Sequence, residues 1–388
     1  MPTKILVVDD EPDLELMISQ KFRKQVRDKE LQFDFVKSGV EALNKLQANG
    51  ETDVVLTDIN MPEMDGLTLL ARLGEQYPLI KSVIVSAYGD MSNIRTALNR
   101  GAFDFVTKPI DFNDLEITLK KTIQEALTFK QAVKDRDQLL AIQQELEVAR
   151  KIQQSIVPRK FPAFPERKEF DLYAEMIPAK DVGGDFYDFF LIDDERLGFV
   201  IGDVSGKGVP AALFMAVSKT LLKATALKGA PPEECLQQIN RILHLESVSA
   251  MFVTIFYGIL NTRTGEVDYC NGGHNPPYIF RAGGGIEMSE STGGLVLGAM
   301  RNTAYKAKKM ALQAGDGVFL YTDGVTEAMN RNNEQFTEER LEEKLKAGRD
   351  TTLPKIVSHV IEAVKAFSNG APQADDITIL ALRYLGKS

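Results

Sequence analysis

Four carboxylates in this sequence stand where the backbone can turn sharply beside an apolar run. Asp203 follows Leu197-Gly198-Phe199-Val200-Ile201 and leads into Val204-Ser205-Gly206-Lys207-Gly208, so it closes a short strand next to glycines. Asp185 lies in Gly183-Gly184-Asp185-Phe186-Tyr187-Asp188, Asp323 in Tyr321-Thr322-Asp323-Gly324, and Asp375 in the pair Asp375-Asp376 ahead of Ile377-Thr378-Ile379-Leu380. Taken singly, each acid could merely cap a turn. Taken together they offer oxygen ligands only, with no His or Cys, which suits Mg2+ or Mn2+ better than zinc. Several carboxylates in a small volume call for more than one ion. Two divalent ions about 3.5–4 Å apart can polarise a phosphate and activate a water for in-line attack on phosphorus. No Ser-His-Asp or Cys-Arg nucleophile motif competes for the role.

A second polar set precedes the first. Asp9 and Asp10 end the run Lys4–Val8, Asp58 ends Asp53–Thr57, Ser86 ends Ser82–Val85, and Lys108 follows Phe103–Thr107. Helical patterns lie between these runs. Strand and helix alternate five times, which predicts an α/β doubly wound parallel sheet with its site at the carboxyl ends of the strands. Three carboxylates in one crevice repel each other unless a hard cation sits among them. With a lysine ammonium beside that cation, one carboxylate could accept a phosphoryl group as an acyl phosphate.

The remaining elements must position these groups. Leu115 to Ile156 contains no Pro or Gly, and Pro158 ends the run. Leu139, Ile142, Leu146, Ala149, Ile152 and Ile156 recur at spacings of three and four. That is a seam for a helical coiled-coil connector that would form a homodimer; a surface helix packed on its own domain is the alternative. Beyond it, strands fit 170–176, 197–203, 252–260, 266–271, 277–281, 317–322 and 377–384, and helices fit 209–227, 231–245, 337–346 and 353–368. Such an order predicts an α+β layered β-sandwich, with antiparallel sheets face to face and helices outside. Leu213, Phe214, Met215 and Val217 read as core. The expected domains are 1–122, 123–157 and 158–388.

The chain of 388 residues carries a formal net charge of −9, which disfavours nucleic acid as a partner. No apolar run of about 18 residues indicates a membrane span. Cys235 and Cys270, with no CxxC, fit a cytoplasmic protein with reduced thiols.

Residues 1–122 resemble the receiver domain of two-component response regulators. The resemblance makes Asp58 the phosphoacceptor, Asp9 and Asp10 with Asp58 the Mg2+ ligands, Ser86 the switch hydroxyl, Phe105 the switch aromatic and Lys108 the invariant lysine. Met61-Pro62-Glu63-Met64-Asp65-Gly66 matches the loop after the acceptor, a cis Lys108-Pro109 bond is implied, and a sensor histidine kinase is the implied partner.

The chain from 158 resembles the metal-dependent serine/threonine phosphatases of the protein phosphatase 2C superfamily. Its four acid motifs and Gly272-Gly273-His274-Asn275-Pro276-Pro277 resemble most the bacterial branch that controls sigma-factor partner switching. This implies hydrolysis of phosphoserine or phosphothreonine on a protein such as an anti-sigma-factor antagonist, with two Mg2+ or Mn2+ ions. By the same resemblance Asp203 bridges both ions, the Val204 carbonyl helps one, and Asp323 and Asp375 complete the other shell. Asp185 holds a water on a metal, and Asp376, where eukaryotic relatives carry Asn, is a further ligand. Ser205 stands where those relatives place a histidine, and their phosphate-binding arginine has no counterpart. His274 is then either the general acid or a residue that orders its Pro-rich turn. Glu147 to Pro158 resembles the lead-in helix of regulated bacterial phosphatases. A phosphatase for a non-protein ester and a non-catalytic partner-binding scaffold are the rival readings.

Overall fold

A computed structural model describes residues 2–49, 51–87, 89–246, 251–348 and 351–386. The chain divides into two compact units between Ile142 and Gln143.

The first unit runs β1 (Thr3–Val8), α1 (Pro12–Lys21), α2 (Arg23–Arg27), β2 (Leu31–Val36), α3 (Gly39–Asn49), β3 (Val54–Asp58), α4 (Gly66–Gln76), β4 (Lys81–Ala87), α5 (Met91–Asn99) and β5 (Asp104–Lys108). All strand pairs are parallel, in the order β2-β1-β3-β4-β5. The strands are apolar on both faces because both faces are covered. Ile5, Val7, Val54 and Leu56 join Leu14, Ile18 and Phe22 of α1 in one core cluster. Their neighbours Leu6, Val8 and Val55 point the other way, onto Ala42, Leu46, Leu69 and Leu73 of α3 and α4. The common parallel direction of the strands brings their carboxyl ends, with Asp9, Asp58, Ser86 and Lys108, to one edge of the sheet.

The next helix, α6 (Phe112–Ile156), has 45 residues and no break at 122/123, because neither Pro nor Gly interrupts it. Its first turns bury Leu115, Leu119 and Ala126 in the first unit's core. Further along, Leu139, Ile142 and Ile152 of the seam are 61%, 53% and 58% exposed.

The second unit contains β6 (Phe170–Ile177), β7 (Phe186–Leu191), β8 (Arg196–Val204), α7 (Val209–Ala226), α8 (Pro232–Glu246), β9 (Val253–Asn261), β10 (Glu266–Gly272), β11 (Tyr278–Phe280), β12 (Ile286–Met288), β13 (Lys308–Ala311), β14 (Gly317–Tyr321), α9 (Asp323–Thr326), α10 (Glu338–Gly348), α11 (Leu353–Ser368) and β15 (Ile377–Tyr384). Two antiparallel sheets result, β13-β10-β9-β8-β7 and β12-β11-β14-β15-β6. Phe199 and Ile201 of β8 point between the sheets, with Phe256, Leu320, Leu380 and Leu382. Val200 and Val204 of the same strand point outward and lie under α7 and α8. The second sheet's outer face carries Phe319, Tyr321, Ile379 and Ala381, under α10 and α11.

Two readings change here. Phe186–Leu191, taken in sequence as part of an acid-glycine cluster, is a buried strand. In α7 only Met215 of the four residues read as core is fully buried, and Phe214 packs beside it. Leu213 and Val217 are 65% and 47% exposed. They fall four apart with Val209 on the face opposite Ala211, Met215 and Leu222, so helical spacing separates them from the core. Among the described residues α7 is also the one helix long and apolar enough to cross a membrane by length and composition. It nevertheless carries Lys219 inward, 2.6 Å from the fully buried Asp188 of β7, with Lys223 at 3.4 Å from the same oxygen.

Candidate active and phosphoacceptor sites

At the edge of the first sheet, ligand oxygens of Asp9, Asp10 and Asp58 lie within 4.8 Å of one another. Lys108 Nζ sits 2.6 Å from Asp58 Oδ2, 3.2 Å from Asp9 Oδ2 and 3.0 Å from Glu11 Oε1. Burial works to lower the Lys108 pKa, but the hydrogen bonds to Asp58 and Glu11 outweigh it and hold the ammonium above its ordinary value. Burial raises Asp9, against the Glu11 amide and Lys108. Ser86 is buried and its hydroxyl has no hydrogen-bond partner, a polar atom left for something that enters the crevice. Phe105 is half-buried against Ile84 and its neighbours. The Lys108-Pro109 bond is cis. Gly66 is required by contact: a Cβ there would lie 2.1 Å from the Asp58 carbonyl oxygen.

In the second unit the four acids come from four chain segments. Asp203 ends β8, Asp185 enters β7, Asp323 opens α9, and Asp375 precedes β15. Asp185 is buried, its Oδ2 accepting from Thr322 Oγ1 at 2.7 Å. Burial first, then the charges of Asp203 and Asp376, raise its pKa well above the carboxylate range. Asp203 is pushed up to about 7 by burial and then by Asp323, against a hydrogen bond with Asp185. Asp185 and Asp203 thus interact in a setting that disfavours both charges, and a cation between them would offset that cost. Asp323 is raised as well, by burial and then by Glu327 and Asp375. Oxygen-only donors, raised by burial and mutual repulsion, fit a hard divalent cation. The four are spread wider than the receiver trio. Among the described residues no other set of three metal-capable side chains comes within 4.8 Å.

Several residues around the acids have clear local roles. Asp376 Oδ1 accepts from the Ala179 amide at 2.8 Å and Oδ2 from Gly184 at 2.7 Å and Asp185 at 3.4 Å. Its oxygens hold the Asp185 loop, a positioning role that sequence did not suggest for this acid. His274 has contacts that fit the second of its two readings, the ordering of its turn. Its Nε2 lies 3.1 Å from the Tyr321 carbonyl, which can only accept, so Nδ1 at 2.8 Å takes the Thr254 hydroxyl proton. Burial pulls its pKa down to about 4. Both ring nitrogens are engaged within the fold, which favours an ordering role for its turn. Ser205 Oγ accepts from the Phe252 amide, a loop contact. The Val204 carbonyl packs against Gly184, where a Cβ would come within 2.8 Å.

Sequence reasoning missed Gln153. On the last turn of α6 this buried amide donates to the Gly183 carbonyl at 2.5 Å and accepts from the Gly183 amide at 3.1 Å. No motif marks it; the signal was a polar residue inside the apolar spacing that ends at Ile156. Asp188 with Lys219 was missed too, and it ties β7 to α7 through a buried pair whose rupture costs about 3–5 kcal/mol.

Gly324 interlocks two acid loops, since a Cβ there would lie 1.9 Å from the Asp376 carbonyl oxygen. Gly324→Ala is therefore expected to push Asp323 and Asp375 apart and cost about 1–3 kcal/mol. A denaturant midpoint equal to wild type would show that the loops can part freely.

The response regulator receiver domain family matches residues 5–120, and the Stage II sporulation protein E (SpoIIE) family matches residues 193–385. The chain is a receiver domain joined to a SpoIIE-type phosphatase domain. It is 32% identical over 265 residues to Protein IcfG of Synechocystis sp., covering 61% of this chain but only 41% of IcfG. It is 28% identical over 273 residues to the phosphoserine phosphatase RsbU of Bacillus subtilis, covering 70% of this chain and 79% of RsbU. The solved SiaA-PP2C domain of Pseudomonas aeruginosa shares the fold, with a TM-score of 0.57 at 20% identity over 63% of this chain and 98% of that one. Mg2+ or Mn2+ is the cofactor of such a phosphatase domain, and the oxygen donors of both the receiver and phosphatase sites fit it.

Proposed function

We propose that this protein is a two-component response regulator whose output is metal-dependent hydrolysis of phosphoserine or phosphothreonine on a protein, under the control of Asp58 phosphorylation. The observation that carries the reading is that the fold gathers Asp185, Asp203, Asp323 and Asp375 from four chain segments into one interacting set of oxygen donors, with Asp185 fixed by Thr322 Oγ1 at 2.7 Å. Asp203 would serve both ions, the Val204 carbonyl would help hold one, and Asp323 and Asp375 would complete the coordination of the other. Two such ions polarise the phosphoryl group and activate the attacking water. The chain's own part is placement: Thr322 fixes Asp185, Asp376 fixes the loop beneath it, and the sheets exclude solvent from behind. The name of RsbU supports a phosphoprotein substrate, and an anti-sigma-factor antagonist fits best. A sensor histidine kinase supplies the input, and the protein acts in the cytoplasm with no nucleic acid or membrane as partner. Full-length protein with Mn2+ should release phosphate from a phosphoserine-bearing antagonist, and EDTA should stop it. Release that survives EDTA, or release from free nucleotides alone, overturns the reading.

Control runs through α6 in this proposal. Its seam at Leu139, Ile142 and Leu146 pairs two copies, and Gln153 passes a change in the last turn to Gly183, next to Asp185. The domains assigned are 1–122, 123–157 and 158–388, with the connector set by function, since the helix itself starts at Phe112. Ile142→Asp with Leu146→Asp is expected to yield monomer by light scattering and to remove the response of turnover to acetyl phosphate. A dimer that still responds would rule out this seam.

A further inference from the structure

Among the described residues one basic side chain forms an ion pair with Asp185, Asp203, Asp323 or Asp375. Lys207 Nζ lies 2.9 Å from Asp375 Oδ2 and also donates to the Ala374 carbonyl. Its charge acts on Asp323 as well. Lys207 stands between Gly206 at φ +89° and Gly208 at φ +79°, where an added Cβ would meet nothing within 4 Å. These glycines answer to backbone conformation alone, and between them Lys207 reaches from the head of α7 to Asp375. The side chains of Lys207 and Asp375 are 39% and 35% exposed, so their pairing is weak and exchangeable.

A phosphate monoester brings about −1.5 to −2 charge into a site walled by carboxylates. It needs a positive group besides the cations that those carboxylates hold. Ligation by Asp375 removes the negative partner that Lys207 now has. We propose that Lys207 binds the phosphoryl group of the substrate, exchanging its contact with Asp375 for phosphate oxygens once Asp375 ligates a cation. The proposal rests on the phosphatase reading above. An ammonium is suited to the part, because it is a compact charge on a flexible stem that can serve two anions in turn.

The test uses the full-length protein and calorimetry without substrate. Lys207→Gln should bind Mn2+ several-fold more tightly, since nothing then competes for Asp375. The Mn2+-loaded variant should bind inorganic phosphate on the order of tenfold to a hundredfold more weakly, the loss of one charge-assisted hydrogen bond. Lys207→Arg should restore most of the phosphate affinity. Wild type that binds both Mn2+ and phosphate, with Lys207→Gln binding phosphate equally well, overturns the proposal alone. Wild type that binds neither removes the phosphatase reading and this proposal with it.

Discussion

Asp203→Asn is expected to lower Mn2+-dependent turnover of an aryl phosphate on the order of a thousandfold or more, and to make the metal-free protein more stable near neutral pH. The two effects have one cause. Burial and the neighbouring Asp323 push the Asp203 carboxyl up to about 7. An unfolded aspartate titrates near ~3.9. Between roughly pH 4 and 7 the folded chain keeps a proton that the unfolded chain has released, so the metal-free fold loses stability as pH rises through that window. An asparagine has no charge to bury, and its amide can still donate to Asp185. It should gain on the order of 1–3 kcal/mol above that window and lose the further stabilisation that Mn2+ gives the wild type. Melting in EDTA and in Mn2+, on either side of neutrality, separates the terms. A variant that melts below wild type in EDTA at high pH, or keeps wild-type turnover, contradicts the account.

Asp58→Asn should abolish labelling by acetyl phosphate, because an amide cannot form the acyl phosphate. The site's geometry makes the loss complete. Asp58 is the carboxylate Lys108 approaches most closely, at 2.6 Å, and Ser86 waits beside it without a partner. Asp9 and Asp10 flank it as cation ligands in this reading, and Asp9 is already engaged by the Glu11 amide at 2.8 Å. Phosphatase turnover in the variant should ignore the phosphodonor. Label at full stoichiometry would place the acceptor elsewhere and leave Asp58 a structural acid.

The receiver site was legible because a parallel sheet sends every strand's carboxyl end to one edge, so Asp9, Asp58, Ser86 and Lys108 meet whatever the helices do. The acids of the second unit were legible as types, and their approach is set by strand order that no local pattern contains. Leu213 and Val217 were misread because α7 is apolar on nearly every side, so composition hides which stripe is buried. His274 could not be resolved from sequence, since its role turns on the partners of both ring nitrogens. Gln153 was invisible for a similar reason: its partner lies 30 residues on, across a loop and a strand.

The loop at 183–185 is built unlike most loops. Three successive amides donate to side chains drawn from far along the chain: Gly183 to Gln153 at 3.1 Å, then Gly184 and Asp185 to Asp376 at 2.7 and 3.4 Å. In the language of isotope exchange, these backbone protons are locked by two separate keys. Deuterium should enter Gly183 whenever the end of α6 lets go, and should enter Gly184 only when the segment before β15 lets go. Adjacent residues thus keep time for two different openings, and their relative rates in heavy water would say which one precedes the exposure of Asp185.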